Sequence, residues 1–485
     1  MSESLKNKTF SGSVWSLADN LAGSGITFLV GLVLARLLEP EQYDVLGIIM
    51  IFVVVFNSIV DSGFSNALIR KNDATDVDYN TVFFFNLIIS VVLFGVLYCC
   101  AGAISSYFNK PILVPVTKVM ASIVIINAFA IIQRTILVKN IDFKTQTKVS
   151  LIASIVSGAV GIGMALYGCG VWSLVGQQVS RQLMNTVFLW VFNRWLPGLT
   201  ISMKSFRELF GFGWKLLVSG LIDTIWKKSY ELVIGKCYTE GTLGQYTRAD
   251  QFNMIFSSNL TAVVHRVSYP VLSKIQDEKE RLKQAYRKII KTTMLVTFPC
   301  MLGLAAIAEP MVRVIIGDKW LPSVHYLQII CFSGMLYPLH ALNLNMLQVK
   351  GRSDVYLILE IVKKTIAVGP LLLGIFINIY WMLIGSIFTG FIAYYLNGHY
   401  SGREIDYSCR EQVKDIMPTF LISLMMAAVV YALTFLKISV FIIFPLQLIV
   451  GFGLIIGLYE MFKLEEYNEL KQIVRSFIKK GRKDE

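Results

Sequence analysis

Fourteen hydrophobic runs of about 20 residues recur along the chain, and they constrain its fold more than any other feature. A helix needs about 20 apolar residues to cross hydrocarbon, where backbone amides find partners only within the helix itself. We therefore predict an all-α integral membrane protein with about 14 transmembrane helices. The amphipathic run near residue 258 leaves a count of twelve or thirteen as the alternative. The predicted spans centre on Ile26, Ile51, Val91, Val124, Val160, Leu183, Ile222, Ser258, Thr297, Ser333, Ile366, Ile387, Ala427 and Leu448.

Composition and charge also favour a membrane protein that crosses the bilayer many times. Hydrophobic residues make up 55% of the chain and charged residues 16%, whereas soluble domains carry about 25% charged residues. Lysines and arginines concentrate at both termini and in alternate loops, which predicts that both termini are cytoplasmic. Because the net charge of +13 lies on one side, it indicates anionic membrane lipids as partners and not nucleic acid. The opposite loops hold few cations: Arg36, Lys110, Lys236, Arg248, Arg313, Lys319 and Lys437.

The second half of the chain weakly repeats the first, at an offset of about 200 residues. VLARLLEPEQY at 33–43 is similar to VIGKCYTEGTLGQY at 233–246. Such symmetry is typical of transporters whose substrate lies between two lobes. The join between the halves, ISMKSFRELFGFGWKL, is amphipathic and predicts a helix at the membrane interface. We predict four regions: an N-terminal six-helix lobe over 1–200, a second over 201–400, two extra transmembrane helices over 401–462, and a cytoplasmic basic amphipathic tail over 463–485.

Ionisable residues inside predicted spans indicate a cavity, because a charge in hydrocarbon is unfavourable unless it faces protein or water. The predicted substrate-binding cations are Arg181, Lys227, Lys228, Arg266, Lys363 and Lys364. The alternative is that local ion pairs merely allow insertion, and three pairs have four-residue spacing: Asp223 with Lys227, Lys227 with Glu231, and Glu360 with Lys364. Four cations have no obvious acid at helical spacing: Arg181, Lys228, Arg266 and Lys363. They predict a water-filled cationic cavity for an anionic substrate that carries phosphate.

The sequence lacks the patterns that catalysis or a bound cofactor would need. It contains no GxxxxGK[ST] motif for ATP and no CxxC or HExxH spacing for a metal. Its longest cytoplasmic loops are basic and lack the acidic, metal-binding segment that a membrane glycosyltransferase needs. We interpret the chain as a transporter and not an enzyme, with no cofactor, no metal and no catalytic residue.

Seven stretches occur in an order and at a spacing typical of one family. They are LARLLEPEQYDVLGI, VDSGFSNALIRK, KNIDFKTQTKVS, GCGVWSLVGQQV, FGFGWKLLVSGLI, LVIGKCYTEGTLGQYTRADQF and YPVLSKIQDEKERLKQAYRK. Over roughly residues 10–290 the chain thereby resembles the polysaccharide-exporter branch of the multidrug/oligosaccharidyl-lipid/polysaccharide (MOP) superfamily, which contains the O-antigen flippases. Asp44 departs from this pattern, because the family usually has glycine at that position.

The resemblance implies a two-lobed flippase of the bacterial inner membrane that works by alternating access. Its cationic central cavity would turn an undecaprenyl-pyrophosphate-linked oligosaccharide towards the periplasm, for lipopolysaccharide biosynthesis with a polysaccharide polymerase and glycosyltransferases as partners. It also implies coupling to proton or sodium flow, for which Asp19, Asp61 and Asp223 are the candidate carboxylates. Two alternatives stay open: a cation-coupled small-molecule exporter of the same superfamily, and a non-transporting membrane scaffold of a polysaccharide assembly complex.

Overall fold

The computed structural model of the protein describes residues 25–472 except 62, 72, 141 and 470, and the regular secondary structure in these ranges is entirely helical. The predicted all-α class is confirmed. The principal helices are α1 (Gly25–Leu37), α2 (Pro40–Asp61), α3 (Phe64–Arg70), α4 (Asp76–Phe108), α5 (Leu113–Lys139), α6 (Phe143–Leu166), α7 (Val171–Phe192), α8 (Met203–Cys237), α9 (Thr242–Ser273), α10 (Lys279–Ile315), α11 (Pro322–Gly334), α12 (Tyr337–Val349), α13 (Ser353–Ile366), α14 (Val368–Phe376), α15 (Ile379–Ile405), α16 (Cys409–Ala432) and α17 (Val440–Met461).

Nine helical segments of the described ranges are long and apolar enough to cross a membrane. They are α2 with α3, α4, α5, α6, α10, α11 with α12, α15, α16, and α17. The other predicted span centres also lie in helices, namely Ile26, Leu183, Ile222, Ser258 and Ile366. Polar residues interrupt the apolar runs of α7, α8 and α9, which is why these helices are less hydrophobic. The chain is therefore a multi-pass membrane protein.

Two of the predicted spans are each divided into two consecutive helices. The chain breaks at Met335 and Leu336 between α11 and α12, and at Ala367 between α13 and α14. Pro338 and Pro370 lie in the first turn of the following helices. Proline has no amide hydrogen to donate, and only in the first turn of a helix does that donor have no partner to lose. Each break therefore places a proline where it removes no hydrogen bond from the helix.

The protein forms two compact units that follow one another along the chain. The first unit ends at Gly244 and the second begins at Gln245. In the first unit, α7 packs along α5 and α6, and α4 packs along α5. An aromatic cluster surrounds Phe83, whose ring centroid lies 5.9 Å from that of Phe129, 6.1 Å from Trp190 and 6.0 Å from Trp195. These rings join α4, α5 and α7 with the segment that follows α7.

That segment, residues 193–202, is fixed by side chains at the start of α4. The Asn80 side chain donates to Thr200 Oγ1 at 2.9 Å and accepts from the backbone N–H of Gly198 at 2.9 Å. The Thr81 hydroxyl accepts from the backbone N–H of Ser202 at 3.0 Å. The hydrogen bonds set the position at which α8 begins.

The amphipathic join between the halves forms the first part of α8 and is continuous with the rest of that 35-residue helix. Its apolar face packs against protein: Phe206 stacks on Phe85 at 4.0 Å between ring centroids, and Leu209 is buried with Phe64. Lys71 pairs with Glu208 of α8 at 3.1 Å. The predicted helix is present, and Phe206 and Leu209 of its apolar face contribute to the core of the first unit, whereas Met203 is exposed.

Asp44 is buried near the start of α2. The polysaccharide exporters that this chain resembles usually have glycine at this position. The Asp44 carboxylate accepts backbone N–H groups of Gly241 at 2.6 Å and Gly244 at 2.5 Å, and Lys110 Nζ lies 3.2 Å away. A buried carboxylate needs such donors to compensate for lost hydration. Asp44 thereby connects the turns after α4 and α8, both within the first unit.

In the second unit, α10 packs against α16, α11 and α17. A buried polar network joins α10 and α16 to α12 and α15. Asn343 Oδ1 accepts hydrogen bonds from the Tyr286 hydroxyl at 3.1 Å, the Ser401 hydroxyl at 2.5 Å and Gln412 Nε2 at 3.3 Å. The Tyr394 hydroxyl donates to Gln412 Oε1 at 3.3 Å. One amide oxygen thus connects four helices.

A pair of glycines allows the packing of α3 on α8 to be tested. Gly63 has φ 70° and Gly168 has φ 76°, so alanine at either position adopts a left-handed conformation that costs about 1–2 kcal/mol. A Cβ at residue 63 would also overlap the carbonyl oxygen of Gly213 on α8, whereas a Cβ at residue 168 meets nothing within 4 Å. We expect Gly63→Ala to lower the melting temperature of the purified protein clearly more than Gly168→Ala. Equal losses would contradict the close approach of α3 and α8.

Candidate functional site

A polar pocket of about 250 Å³ lies inside the first unit, between α2, α5, α6 and α7. It is defined by eleven side chains, of which six are polar. In the described part of the chain, Arg181 is the single charged residue of this lining, which contains no Asp or Glu. The polar residues are Asn57, Ser150, Gln178, Arg181, Gln182 and Asn185, and the apolar ones are Met50, Val53, Val54, Ile123 and Ala153.

One face of α7 supplies most of the polar lining. Gln178, Arg181, Gln182 and Asn185 occupy positions i, i+3, i+4 and i+7 of one helix stretch. Side chains at this spacing project from the same side of a helix. The stretch GQQVSRQLMN therefore gives α7 a continuous polar face in the middle of a hydrophobic segment. Its amides and its guanidinium are presented together to the pocket.

Hydrogen bonds between α7 and its neighbours set the rotation of this face. Gln182 Nε2 donates to Asn127 Oδ1 of α5 at 3.0 Å, and Asn127 Nδ2 donates to Asn57 Oδ1 of α2 at 3.0 Å. Further along α7, the Thr186 hydroxyl donates to the carbonyl of Ile126 at 3.0 Å. Polar groups in hydrocarbon find partners only in protein, so such bonds hold helices in register. We call the bonds joining Asn57, Asn127 and Gln182 the amide relay.

The same contact continues to the end of α7. Trp190 Nε1 donates to the carbonyl of Phe129 at 2.9 Å, and Asn193 Nδ2 donates to the carbonyl of Gln133 at 3.1 Å. Residues 182, 186, 190 and 193 therefore all bond to α5, each about one turn after the last. With this stripe of α7 held against α5, Arg181 lies on the adjacent face and contributes to the pocket.

The pocket has the chemistry of an anion site with hydroxyl-binding walls. Arg181 is half-buried, so its guanidinium lies in an environment where an opposite charge is attracted more strongly than in water. A guanidinium binds two phosphate oxygens at once through parallel N–H groups. Carboxamides both donate and accept, which suits sugar hydroxyls.

Lys227 and Lys228 lie on α8 and are not among the residues that line this pocket. Lys227 pairs with Asp223 at 2.7 Å, as the four-residue spacing predicts. Lys228 pairs with Glu231 at 2.5 Å, so the expectation that Lys228 lacks an acidic partner is wrong. The reason is geometrical: residues three apart on a helix are neighbours as much as residues four apart.

The cations of the second unit follow the same rule. Lys363 pairs with Glu360 at 2.5 Å, again three residues away, which corrects the expectation that Lys363 lacks an acidic partner. Lys364 is the next residue of α13 and is half-buried. Arg266 falls within α9, but its side chain lies outside the described part of the protein.

The three candidate coupling carboxylates have different surroundings. Asp61 ends α2, and its carboxylate accepts from the backbone N–H of Ser65 at 3.3 Å and from the Ser65 hydroxyl, which stabilises the first turn of α3. The carboxylate of Asp223 forms an ion pair with Lys227. Asp19 lies outside the described residues. Asp61 therefore has a structural role at the junction of α2 and α3.

Known proteins agree with this architecture in sequence and in fold. The Polysaccharide biosynthesis protein family matches residues 33–325, which include every residue that lines the pocket. The chain belongs to this family. It is 23% identical over 377 residues to the lipopolysaccharide biosynthesis protein WzxC of Escherichia coli (strain K12), covering 76% of each protein. It is 24% identical over 354 residues to the teichuronic acid biosynthesis protein TuaB of Bacillus subtilis (strain 168), covering 72% of this chain and 73% of TuaB.

Solved structures of similar fold come from the MOP superfamily. The lipid II flippase MurJ in an inward closed conformation gives a TM-score of 0.75 at 16% identity, over 95% of this chain and 99% of MurJ. An inward-facing multidrug resistance MATE family transporter gives a TM-score of 0.63 at 16% identity, over 79% of this chain and 94% of the transporter. The resemblance to the polysaccharide-exporter branch of the superfamily is thereby confirmed. This member of the Polysaccharide biosynthesis protein family has the membrane-transporter fold.

Counting charges in the sequence found Arg181 but missed the amides around it. Asn57, Asn127, Gln178, Gln182 and Asn185 are uncharged, so a search for ionisable groups passes over them. The available signal was the three-to-four-residue spacing of carboxamides within one predicted span. A search for polar residues of any kind on one face of a hydrophobic helix would have found the α7 face.

Thiol labelling distinguishes this pocket from a lipid-facing surface. In a variant without the seven native cysteines, we expect Asn185→Cys to react with a membrane-impermeant maleimide when the protein is in nanodiscs. Leu183→Cys is the control, because residue 183 is 42% exposed on α7 and does not line the pocket. Maleimides react with the thiolate, which forms in water and not in hydrocarbon. Labelling of Leu183→Cys but not Asn185→Cys would contradict a hydrated pocket.

Proposed function

We propose that the protein is a flippase that moves an undecaprenyl-pyrophosphate-linked oligosaccharide across the bacterial inner membrane by alternating access, with both termini in the cytoplasm. A pyrophosphate that carries sugars cannot cross about 30 Å of hydrocarbon unaided, because its charges and hydroxyls would lose their hydration. A protein that moves it must offer a hydrated, positively charged path for the headgroup while the polyprenyl chain stays in lipid.

The polar pocket around Arg181 is the observation that carries this proposal. Arg181 would bind the pyrophosphate, and the amides of Asn57, Gln178, Gln182 and Asn185 would bind hydroxyls of the first sugars. At about 250 Å³, the pocket has room for part of such a headgroup and not for a long oligosaccharide. The remaining sugars would therefore extend beyond the pocket, which allows repeat units of different length.

Relatives support the same class of substrate. The family is described by polysaccharide biosynthesis, and ExoT of Rhizobium meliloti (strain 1021), 24% identical over 340 residues, is named a succinoglycan biosynthesis transport protein. MurJ, a lipid II flippase, has a similar fold. A polysaccharide polymerase and glycosyltransferases are the proposed partners. Proton or sodium flow is the proposed energy source, with Asp19, Asp61 and Asp223 as the candidate carboxylates.

Removing the charge of the pocket tests the proposal. We expect Arg181→Gln to reduce flipping of a fluorescent undecaprenyl-pyrophosphate oligosaccharide in proteoliposomes about tenfold or more, because a charge-assisted hydrogen bond contributes about 1.5–3 kcal/mol. Arg181→Lys keeps the charge but not the paired donors, so its flipping rate should fall between those of the wild type and Arg181→Gln. Arg194→Gln removes an exposed cation just after α7 and serves as the matched control. A normal rate for Arg181→Gln, with protein levels unchanged, would rule out this site.

The lysines of α8 and α13 and Arg266 complete the proposed anion site, and Lys228 provides the sharpest test among them. Lys228→Gln alone leaves Glu231 unpaired, which confuses lost binding with misfolding. We therefore compare it with the double variant Lys228→Gln/Glu231→Gln, in which no charge remains. If Lys228 binds the headgroup, both variants lose flipping; if the pair only allows insertion, the double variant recovers it.

A small-molecule exporter is the second candidate, because the MATE transporter fold is also similar. If the wild-type protein exports a fluorescent dye, and Arg181→Gln exports it at the same rate, the result favours this function. A non-transporting scaffold would instead give no flipping of lipid-linked sugar by the purified wild-type protein, and no dye efflux. The two assays on the same proteoliposome preparation therefore separate all three functions.

A further inference from the structure

A groove of about 780 Å³ runs along α16 in the second unit. Its lining begins at Arg410 and Lys414 and continues with Met417, Leu421 and Met425. These residues are three or four positions apart, so they form one stripe on α16. Phe462, which follows α17, also lines the groove. We call this the α16 groove.

The two basic residues of the α16 groove differ from the cations beside them. Neighbouring lysines and arginines are paired: Arg287 with Asp415 at 2.5 Å, Lys279 with Asp406 at 2.5 Å, and Lys288 with Glu469 at 2.7 Å. The Lys279 ammonium lowers the pKa of Asp406 below its ordinary value, so that pair is charged at neutral pH. Among the residues that the structure describes, neither Arg410 nor Lys414 has an acidic partner within 4.0 Å.

The order of charge and hydrocarbon along α16 matches a phospholipid. Arg410 and Lys414 lie in the first two turns of this membrane-crossing helix, where the headgroups of a bilayer lie. The apolar stripe then extends from Met417 to Met425, about 12 Å at 1.5 Å per residue. That length corresponds to most of one acyl chain within one leaflet. Met417, Leu421 and Met425 are 40%, 54% and 44% exposed, so the stripe is open.

We propose that the α16 groove is a binding site for an anionic phospholipid of the surrounding bilayer. The phosphodiester would lie between the Arg410 guanidinium and the Lys414 ammonium, and one acyl chain would lie along the apolar stripe. Two unpaired cations favour a lipid with net negative charge over a zwitterionic one. The flexible methionines allow the stripe to adapt to acyl chains of different shape.

Native mass spectrometry of the full-length protein tests the headgroup part of this site. We expect the delipidated wild type to bind one phosphatidylglycerol about 30-fold more tightly than phosphatidylcholine, since each of the two nearby cations contributes about 1 kcal/mol and about 1.4 kcal/mol is a factor of ten. Arg410→Gln/Lys414→Gln should lose this preference. The control Arg403→Gln/Lys274→Gln removes one arginine and one lysine that are also exposed, and should keep it. An unchanged preference in the first double variant would overturn the site.

The acyl-chain part is tested without changing any charge. Leu421→Trp should fill the groove and weaken binding of phosphatidylglycerol, whereas Leu424→Trp places the same bulk on an exposed residue outside it. Equal binding by the two variants would overturn the groove as the acyl-chain site. Undecaprenyl phosphate is included as a competitor: if it displaces phosphatidylglycerol more effectively than phosphatidylglycerol displaces itself, the occupant is the polyprenyl carrier, and the assignment to a bilayer phospholipid is wrong.

Discussion

The hydrogen bonds between α5 and α7 determine what the first unit can do. Gln182, Asn127 and Asn57 connect three helices through their side-chain amides, and Thr186 adds a bond to the backbone of α5. In hydrocarbon no water can replace these partners, so α7 cannot rotate without leaving polar groups unpaired. The amide relay thereby fixes which face of α7 meets the pocket. It is the reason that Arg181 contributes to the lining of the polar pocket.

Ion pairing explains why Arg181 differs from the other cations of the predicted site. Lys227, Lys228 and Lys363 each have an acid one turn away on the same helix. Such a pair is nearly neutral at a distance and attracts a phosphate only if its acid is displaced. Arg181 has carboxamides around it instead, which carry no net charge and therefore do not neutralise it. Arg181 is therefore a charged side chain of the polar pocket with no acid beside it in the lining that the structure describes.

The sequence revealed those parts of the structure that depend on local periodicity. Apolar runs of about 20 residues located the helices, and the spacing of Asp223 and Lys227 identified a real ion pair. Contacts between distant residues could not be found in this way: Asp44 binds the backbone of Gly241 and Gly244, about 200 positions away, and nothing local marks that pairing. Hydropathy alone also missed the breaks after α11 and α13, because proline is tolerated inside α10, α16 and α17 and does not end a helix by itself.

Affinity for the headgroup charge, measured apart from transport, addresses the central claim most directly. Microscale thermophoresis of the purified protein with undecaprenyl pyrophosphate and with undecaprenol compares two ligands that differ only in the charged group. If Arg181 holds the pyrophosphate, the wild type should prefer the charged ligand by about tenfold or more, and Arg181→Gln should lose most of this preference. The same preference in Arg181→Gln as in the wild type would contradict the account, because the charge would then be recognised elsewhere.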